Sequence, residues 1–211
     1  MKFNTENYFL LDNFYYKDIF NNIENIWEVL PKLEEYLSSL FIDGKVIGNY
    51  KDKKNIYIGE GTVIHEDVNI EGPVVIGKNC LITHGSYIRS GCLIGDNVRI
   101  GHGVEIKRSI FLNNSIVAHL NYIGDSIIGN SVNIAGGVML ANLRFDKKDV
   151  ILRYGDKIIS TGLQKFGAIL GDNVSIGANA VLNPGTLLGK RVIVYPLQFV
   201  KGVYIENEII R

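Results

Sequence analysis

The feature that most limits how this chain can fold is a six-residue repeat in its aliphatic residues. Every sixth residue from position 58 to position 112 is Ile or Leu, and the residue four positions after each is mostly small or β-branched. The repeated positions are Ile58, Ile64, Ile70, Ile76, Ile82, Ile88, Ile94, Ile100, Ile106 and Leu112. After a gap, the beat returns at Leu170, Ile176, Leu182, Leu188, Val194 and Val200.

A period of six fits neither the 3.6-residue turn of an α-helix nor a long alternating strand. It fits a short strand followed by a turn, and three such units close one triangular coil. Stacked coils pair through parallel backbone hydrogen bonds. The sequence therefore predicts a mainly β protein whose residues 58–211 form a left-handed parallel β-helix of hexapeptide repeats. Left-handed winding is an exception to the rule that connections between parallel strands are right-handed.

Residues 1–57 lack the beat and are predicted to form a separate element. Between positions 18 and 41 the apolar residues recur at helical intervals, and Pro31 predicts a kink there. An open end of a β-helix exposes apolar interior and unpaired strand edges. We therefore expect residues 1–57 to form a short N-terminal α-helical cap.

Residues 143–165 also drop the beat, and they read as a polar loop excursion from one corner of the coil. Tyr154, Gly155 and Asp156 favour a hairpin turn within it. Long excursions from a rigid scaffold often carry function.

Composition narrows the possible functions. Lys and Arg number 22, as do Asp and Glu, so net charge offers no case for nucleic acid or an anionic membrane as a partner. The sequence contains no run of about 18 apolar residues, which a membrane span would need. Its N-terminus does not have the pattern of a signal peptide. Cys80 and Cys92 make no disulfide framework, which favours a cytoplasmic protein with both thiols reduced.

Two cations occupy equivalent positions in successive coils. Arg89 and Lys107 are three hexapeptide units apart, and each follows a repeated Ile. Stacked cations repel unless an anion lies between them, so a phosphate or carboxylate site is one interpretation. The alternative is an ordinary solvated face.

The four histidines lie in comparable units and form a predicted column. They are His65, His84, His102 and His119. A zinc site is one alternative, although the spacing offers no close pair of histidines and no nearby Cys. A solvated row of turn residues is the other.

His119 differs because the beat breaks beside it. We predict that the interval shortens to five at Ala118, Ile123 and Ile128, so that the coil tightens locally. The stretch HLNYIGD then gathers polar side chains, with Asn133 about one coil further on.

The stretch VEIKRSIFLNNSIVAHLNYIGDSIIGNSVNIAGG and its continuation STGLQKFGAILGDNVSIGANAVLNPG resemble a known family. This family comprises the acetyltransferase half of the bifunctional uridyltransferase/glucosamine-1-phosphate acetyltransferases and the archaeal-type sugar-1-phosphate nucleotidylyltransferase/acetyltransferases. The resemblance covers roughly residues 58–200. The chain departs from the family pattern at NIAGG, at Leu143 and at Ala178, and residues 1–57 hold no Gly-rich nucleotidyltransferase segment.

The resemblance implies an enzyme that transfers acetyl from acetyl-CoA to the amine of an amino-sugar 1-phosphate, without a metal. It implies His119 as the general base, which suits the pKa of imidazole. It further implies a homotrimer with active sites between subunits. For the acceptor, the resemblance implies phosphate binding by Arg89 and Lys107, sugar contacts by Tyr122 and Asn133, and a further substrate lysine at Lys148. It implies Glu105 as an orienting acid. It implies acetyl-CoA contacts at Asn142 and Ala178, and a backbone N–H near Ala178 is the candidate donor to the oxyanion.

Two alternatives remain open. One alternative to this enzyme is a non-catalytic trimerisation or regulatory subunit of a separate nucleotidylyltransferase, and the other is an acetyltransferase for another sugar. The sequence does not choose among the amino sugars.

Overall fold

The computed structural model describes residues 3–211. Short parallel strands form three sheets that make the three faces of a β-solenoid. Face A holds the strands Ile56–Ile58, Val74–Ile76, Cys92–Ile94, Ile110–Phe111, Ile127–Ile128, Ala168–Leu170, Thr186–Leu188 and Val203–Tyr204. Face B holds Val63–Ile64, Leu81–Ile82, Arg99–Ile100, Ile116–Val117, Asn133–Ile134, Ser175–Ile176, Ile193–Val194 and Ile209–Ile210. Face C holds Asn69–Ile70, Tyr87–Ile88, Glu105–Lys107, Tyr122–Gly124, Met139–Leu140, Val181–Leu182 and Phe199–Val200.

The solenoid is held together by its inward aliphatic side chains. Ile82, Ile88 and Ile94 are each fully buried, and they belong to one apolar cluster that runs through the coils. Removing such side chains from water stabilises the fold by roughly 1.5–3 kcal/mol each. The parallel solenoid predicted from the repeat is therefore present, while its left-handed winding stays a prediction.

The corners of the coil explain the recurrent asparagines. Asn79, Asn97 and Asn173 have positive φ angles of 54°, 59° and 62°, a region that Asn tolerates better than most residues. At the corner between faces A and B, polar side chains also link successive coils. The Asn113 side chain accepts a 2.8 Å hydrogen bond from the backbone N–H of Asp96.

The beat breaks earlier than the sequence suggested. The inward ladder runs through Ile106 and then Phe111, and later through Ile123 and then Ile128. The expected positions Leu112 and Ala118 are not inward: Leu112 packs outside the solenoid, and Ala118 is half-buried. Because Phe111 and Leu112 are adjacent and both apolar, spacing alone cannot tell which one faces the core.

Two successive coils are therefore one residue shorter than the regular ones. Glu105 pairs with Tyr122, and Tyr122 pairs with Met139, whereas three full units from Glu105 would reach Ile123. Both shortened corners join face C to face A, and they contain Arg108 and Asp125, whose φ angles are 43° and 49°. The local tightening thus lies at the C–A corner and is shared by two coils.

The N-terminal segment contains short helices and one hairpin. Three 3₁₀-helices span Thr5–Asn7, Lys17–Phe20 and Ile26–Lys32, and the α-helix Leu33–Ile42 follows Pro31. The strands Asn49–Tyr50 and Lys53–Lys54 then form an antiparallel pair.

Most of this segment packs along the side of the solenoid. Its buried aromatic and aliphatic residues share one cluster with the outward residues of face A, namely Val75, Leu93, Ile110, Ile127, Ile169 and Leu187. Polar contacts reinforce the packing, since Asn130 Nδ2 donates to the carbonyl of Leu10 at 2.9 Å. At the end of the solenoid, Tyr50 from the hairpin packs against the inner core. The helices contact face A, and their role as a cap over the solenoid end stays a prediction.

The excursion contains the hairpin that the sequence predicted. Ile151–Tyr154 pairs with Lys157–Ser160 around Gly155 and Asp156. Its buried Val150 and Leu152 join the cluster on face A, so the excursion is anchored beside the N-terminal segment.

Both cysteines are buried and free. Burial raises the pKa of the Cys92 thiol to about 12. Within residues 3–211, no helix has both the length and the apolar character needed to cross a membrane.

Candidate active site

Face C carries a row of charged and polar side chains in register. Arg89 and Glu105 lie on adjacent coils, and the Arg89 Nη1 donates a 2.9 Å hydrogen bond to the Glu105 carboxylate. The Arg89 N–H bonds to the carbonyl of Ile106 at 2.8 Å, which sets Arg89 and Lys107 side by side on neighbouring coils. The stacking of Arg89 on Lys107 that the spacing predicted is therefore present.

Two further cations lie next to Lys107. Lys165, at the end of the excursion, forms an isolated antiparallel β-bridge with Leu143. Arg108 occupies the first shortened corner between faces C and A. Burial, followed by the charge of Lys165, lowers the pKa of Lys107, and Arg89 and Arg108 act in the same direction. We call Arg89, Lys107, Arg108 and Lys165 the cation cluster.

Asp125 supplies a buried carboxylate beside the cluster. Its side chain is fully buried, and Arg108 Nε and Nη2 both donate to its Oδ1. Asn142 Nδ2 donates to the Asp125 Oδ2 and also lies 3.1 Å from the Tyr122 hydroxyl. Tyr122 and Asn142, predicted for different ligands, thus form one hydrogen-bonded group.

His119 lies at the corner between faces B and C, three residues before Tyr122. Its imidazole is exposed and rests over Gly136 in the next coil, where an added Cβ would lie 2.7 Å from Nε2. His102 lies one coil earlier, with its Nδ1 2.9 Å from the carbonyl of His84. The His119 ring therefore stands at one edge of face C, and the cation cluster lies toward the other.

The other predicted residues lie further apart. Asn133 is exposed on face B, where it pairs with Ile116. Lys148 is exposed in the excursion, and its N–H bonds to Asp146 at 3.2 Å. Ala178 occupies the His119 corner two coils later, where its carbonyl accepts from the N–H of Leu197.

Three residues at the site were not singled out from the sequence: Arg108, Asp125 and Lys165. Arg108 and Asp125 are separated by one position less than a regular coil, so the constant three-unit spacing missed them. A five-residue interval after Ile106, had it been recognised in the sequence, would have placed Arg108 and Asp125 at equivalent positions of successive coils. Lys165 reaches the site only through the fold of the excursion.

No group of three or more His, Cys, Asp or Glu suited to a metal ion occurs within residues 3–211. A groove of about 980 Å³ lies on the later part of face C against the excursion. Apolar Val181 and Phe199 line it together with Arg144, Arg153 and Lys201.

Known proteins match this chain in sequence. The family "Bacterial transferase hexapeptide (six repeats)" matches residues 55–90 and 73–108, and "Hexapeptide repeat of succinyl-transferase" matches residues 167–195. A "Bifunctional sugar-1-phosphate nucleotidylyltransferase/acetyltransferase" of Sulfurisphaera tokodaii is 36% identical over 187 residues, which is 86% of this chain and 46% of that protein.

Two proteins described as "Bifunctional protein GlmU" are also similar. The Methanococcus maripaludis protein is 37% identical over 82% of this chain and 43% of its own length. The Methanocaldococcus jannaschii protein is 34% identical over 80% of this chain and 42% of its own length. A solved polysialic acid O-acetyltransferase, OatWY, covers 73% of this chain at 15% identity with a TM-score of 0.29.

The chain spans less than half the length of each of these bifunctional relatives. The family matches fall on the repeats of the solenoid, on both sides of the excursion. The chain is therefore a hexapeptide-repeat protein of the transferase type, and over most of its length it resembles the bifunctional sugar-1-phosphate nucleotidylyltransferase/acetyltransferases.

Proposed function

We propose that the chain is an acetyl-CoA-dependent N-acetyltransferase that acts on an amino-sugar 1-phosphate. The observation that carries this proposal is the cation cluster on face C, with His119 at the edge of the same face. A cluster of this kind suits a phosphate, and an exposed imidazole nearby suits the removal of a proton from an amine.

The charge of the site matches a phosphate monoester. The four cations of the cluster are offset by two carboxylates, Glu105 and Asp125, which leaves two formal positive charges. A phosphate monoester carries about −1.5 to −2 charges at pH 7. Arg89 uses only its Nη1 for Glu105, so its other donors remain for a ligand.

The geometry suggests how an acceptor lies across face C. A strand rises about 3.3 Å per residue, so the strand Tyr122–Gly124 spans about 10 Å, roughly the length of a sugar phosphate. The phosphate would contact Lys107 and Lys165, and the Tyr122 hydroxyl would contact the ring. The amine would then point toward the corner that holds His119.

An ammonium group is not a nucleophile, so a base must take a proton as the amine attacks the thioester carbon. His119 fills this role, because its exposed imidazole stands at the edge of face C toward which the amine would point. Anchoring the phosphate orients the amine and lowers the entropic cost of attack. A backbone N–H near Ala178 is our candidate donor to the developing oxyanion.

The groove beside the excursion suits the acetyl donor. Coenzyme A combines phosphates with an apolar arm, and the groove combines Arg153 and Lys201 with Val181 and Phe199, while its Arg144 is paired with Asp146. The groove adjoins face C, so a thioester could reach the acceptor side from it. Asn142, which the resemblance assigned to acetyl-CoA, bonds to Tyr122 and would therefore lie between the acceptor and the donor.

We also propose a left-handed solenoid that assembles as a cytoplasmic homotrimer. Face A is covered by the N-terminal segment, which leaves faces B and C for packing between subunits. Both expose apolar side chains, including Ile116 and Ile193 on face B and Met139 and Phe199 on face C. In such an assembly Asn133, on face B, would approach the site of a neighbouring subunit.

Thiol release from acetyl-CoA, measured with a panel of amino sugars and their 1-phosphates, tests the activity. We expect turnover that depends on the phosphate. Arg89→Ala and Lys107→Ala should raise the KM for the acceptor much more than the KM for acetyl-CoA. Equal effects on both substrates would show that the phosphate site is misplaced.

The non-catalytic alternative predicts a different result in the same assay. A trimerisation or regulatory subunit would release no thiol with any amino sugar, but would bind a separate nucleotidylyltransferase. The presence of His119 and the cation cluster at opposite edges of the same face favours the enzyme.

A further inference from the structure

We infer that Asp125 is a positioning residue of the acceptor site, which holds Tyr122 in place through Asn142 and fixes Arg108 at the edge of the cation cluster. This inference rests on the proposed function. It concerns a residue that contacts neither reacting group and acts only through its neighbours.

The surroundings of Asp125 are those of a fixed carboxylate. Its side chain is fully buried, and a buried carboxylate is stable only when its oxygens accept hydrogen bonds or meet a cation. Oδ1 accepts from Arg108, and Oδ2 accepts from Asn142. Both oxygens thus have a hydrogen-bond donor.

The backbone fixes Asp125 as well. Its N–H donates to the carbonyl of Lys107 at 2.9 Å, and its carbonyl accepts from the N–H of Gly167 at 2.8 Å. Lys107 is itself a lysine of the cation cluster, and Gly167 lies two residues after the other cluster lysine, Lys165. Asp125 therefore connects the solenoid part of the cluster to the excursion.

The connection to the sugar side passes through one amide. Asn142 Nδ2 lies within hydrogen-bond reach of both the Asp125 carboxylate and the Tyr122 hydroxyl. Because the carboxylate only accepts, it fixes which end of the Asn142 amide faces Tyr122. The Tyr122 hydroxyl then accepts from Asn142 and keeps its own proton for a ligand.

The Asp125 carboxylate also fixes the position of the Arg108 guanidinium. Arg108 is about one-third exposed and pairs with Asp125 through two nitrogens. This pairing holds the guanidinium back at the corner, which leaves Lys107 and Lys165 as the unpaired cations that face the phosphate.

The test is Asp125→Asn, which preserves the size of the side chain and removes its charge. We expect the KM for the amino-sugar 1-phosphate to rise about tenfold, with the KM for acetyl-CoA unchanged. Binding of glucose 1-phosphate, an analogue without the amine, should weaken by a similar factor in calorimetry. An unchanged acceptor KM and unchanged analogue affinity would overturn the inference.

Asp172→Asn is the matched control. Asp172 is also a buried aspartate, but it accepts hydrogen bonds from Leu10 and Asn130 at the corner between faces A and B. We expect this variant to lower the melting temperature without a selective rise in acceptor KM. Equal rises in both variants would mean that Asp125 acts through general stability, and the inference would be wrong.

A double-mutant cycle tests the route through Asn142. If Asp125 acts through this amide, the Asp125→Asn change should add little to the acceptor KM of Asn142→Ala. Independent, multiplying effects would overturn this route.

Failure of the proposed function is separable from failure of the inference. A wild-type chain that binds glucose 1-phosphate but releases no thiol would refute the activity, and the binding comparison would still decide the role of Asp125. A wild-type chain that neither binds the analogue nor releases thiol would refute both.

Discussion

Lys107 and Lys165 lie close enough that, together with burial, the second ammonium lowers the pKa of the first. One lysine belongs to a strand of face C and the other to the end of the excursion, 58 positions further along the chain. Like charges gathered in this way are stabilised by an anion between them, so the pair provides a pH-dependent signature of phosphate binding.

This signature predicts an alkaline limit for the acceptor. A lowered pKa means that Lys107 loses its proton at a lower pH than an ordinary lysine, whose value is 10.5. The acceptor KM should therefore rise as the pH increases through a value below 10.5. Lys165→Ala should raise the KM at neutral pH and shift the alkaline rise to higher pH.

Lys157→Ala is the control for the charge of the excursion, because Lys157 lies exposed at the start of the second hairpin strand. It should change neither the KM nor the alkaline limit. Lys148→Ala, measured in parallel, decides which excursion lysine serves the acceptor. A larger effect from Lys148 than from Lys165 would contradict the arrangement described above.

His119→Ala should lower turnover by about 10²- to 10⁴-fold, the usual contribution of a general base. Acetyl-CoA affinity should remain, because the imidazole is exposed at the B–C corner, away from the groove proposed for the coenzyme. His102→Ala, one coil earlier in the same column, should lose much less activity. The assignment of the base fails if thiol release at saturating substrates shows His102→Ala to be the inactive variant.

Trp27→Ala should lower the free energy of unfolding by about 3–5 kcal/mol. Trp27 is fully buried and packs on Phe3 and Phe166, with ring centroids 5.4 Å and 6.3 Å away. Leu10→Ala is the control, since the Leu10 side chain is 67% exposed. Denaturant unfolding should separate the two variants clearly, and similar losses in both would contradict the packing on face A.

Cys80 and Cys92 should resist alkylation in the folded protein at pH 8. Both side chains are buried, and burial raises the pKa of each thiol, so little thiolate is available to react. Mass spectrometry should show two added labels only after unfolding in denaturant. A native protein lighter by two protons would indicate a disulfide and would refute the prediction of free thiols.

Much of the site was predictable because a solenoid turns sequence spacing into spatial neighbourhood. The period of three hexapeptide units correctly stacked Arg89 on Lys107, and the six-residue beat identified the inward residues up to Ile106. Predictions from a constant coil length failed where the coils became shorter. Once two coils had each lost one residue, the pairing of Arg108 with Asp125 could not be found from a constant step.

Asn142 and the N-terminal segment show a different limit. Sequence resemblance assigned Asn142 to acetyl-CoA, a role that stays a prediction, but it gave no indication of the hydrogen bonds that Asn142 makes to Tyr122 and Asp125. The amphipathic spacing around Trp27 predicted helical structure with a buried side. It did not predict the partner surface, because an apolar stripe fits any complementary apolar surface, whether the end or the side of a solenoid.

By itself, the sequence determined the parallel solenoid, the inward ladder up to Ile106 and the column of histidines, because those follow from residue type and a local repeat. The tertiary structure decided the position of the shortened corners, the covering of face A, and the arrival of Lys165 beside Lys107. These depend on which of several adjacent apolar residues turns inward and on how a long excursion returns. Both are settled by the total packing energy of the folded chain and not by any local pattern.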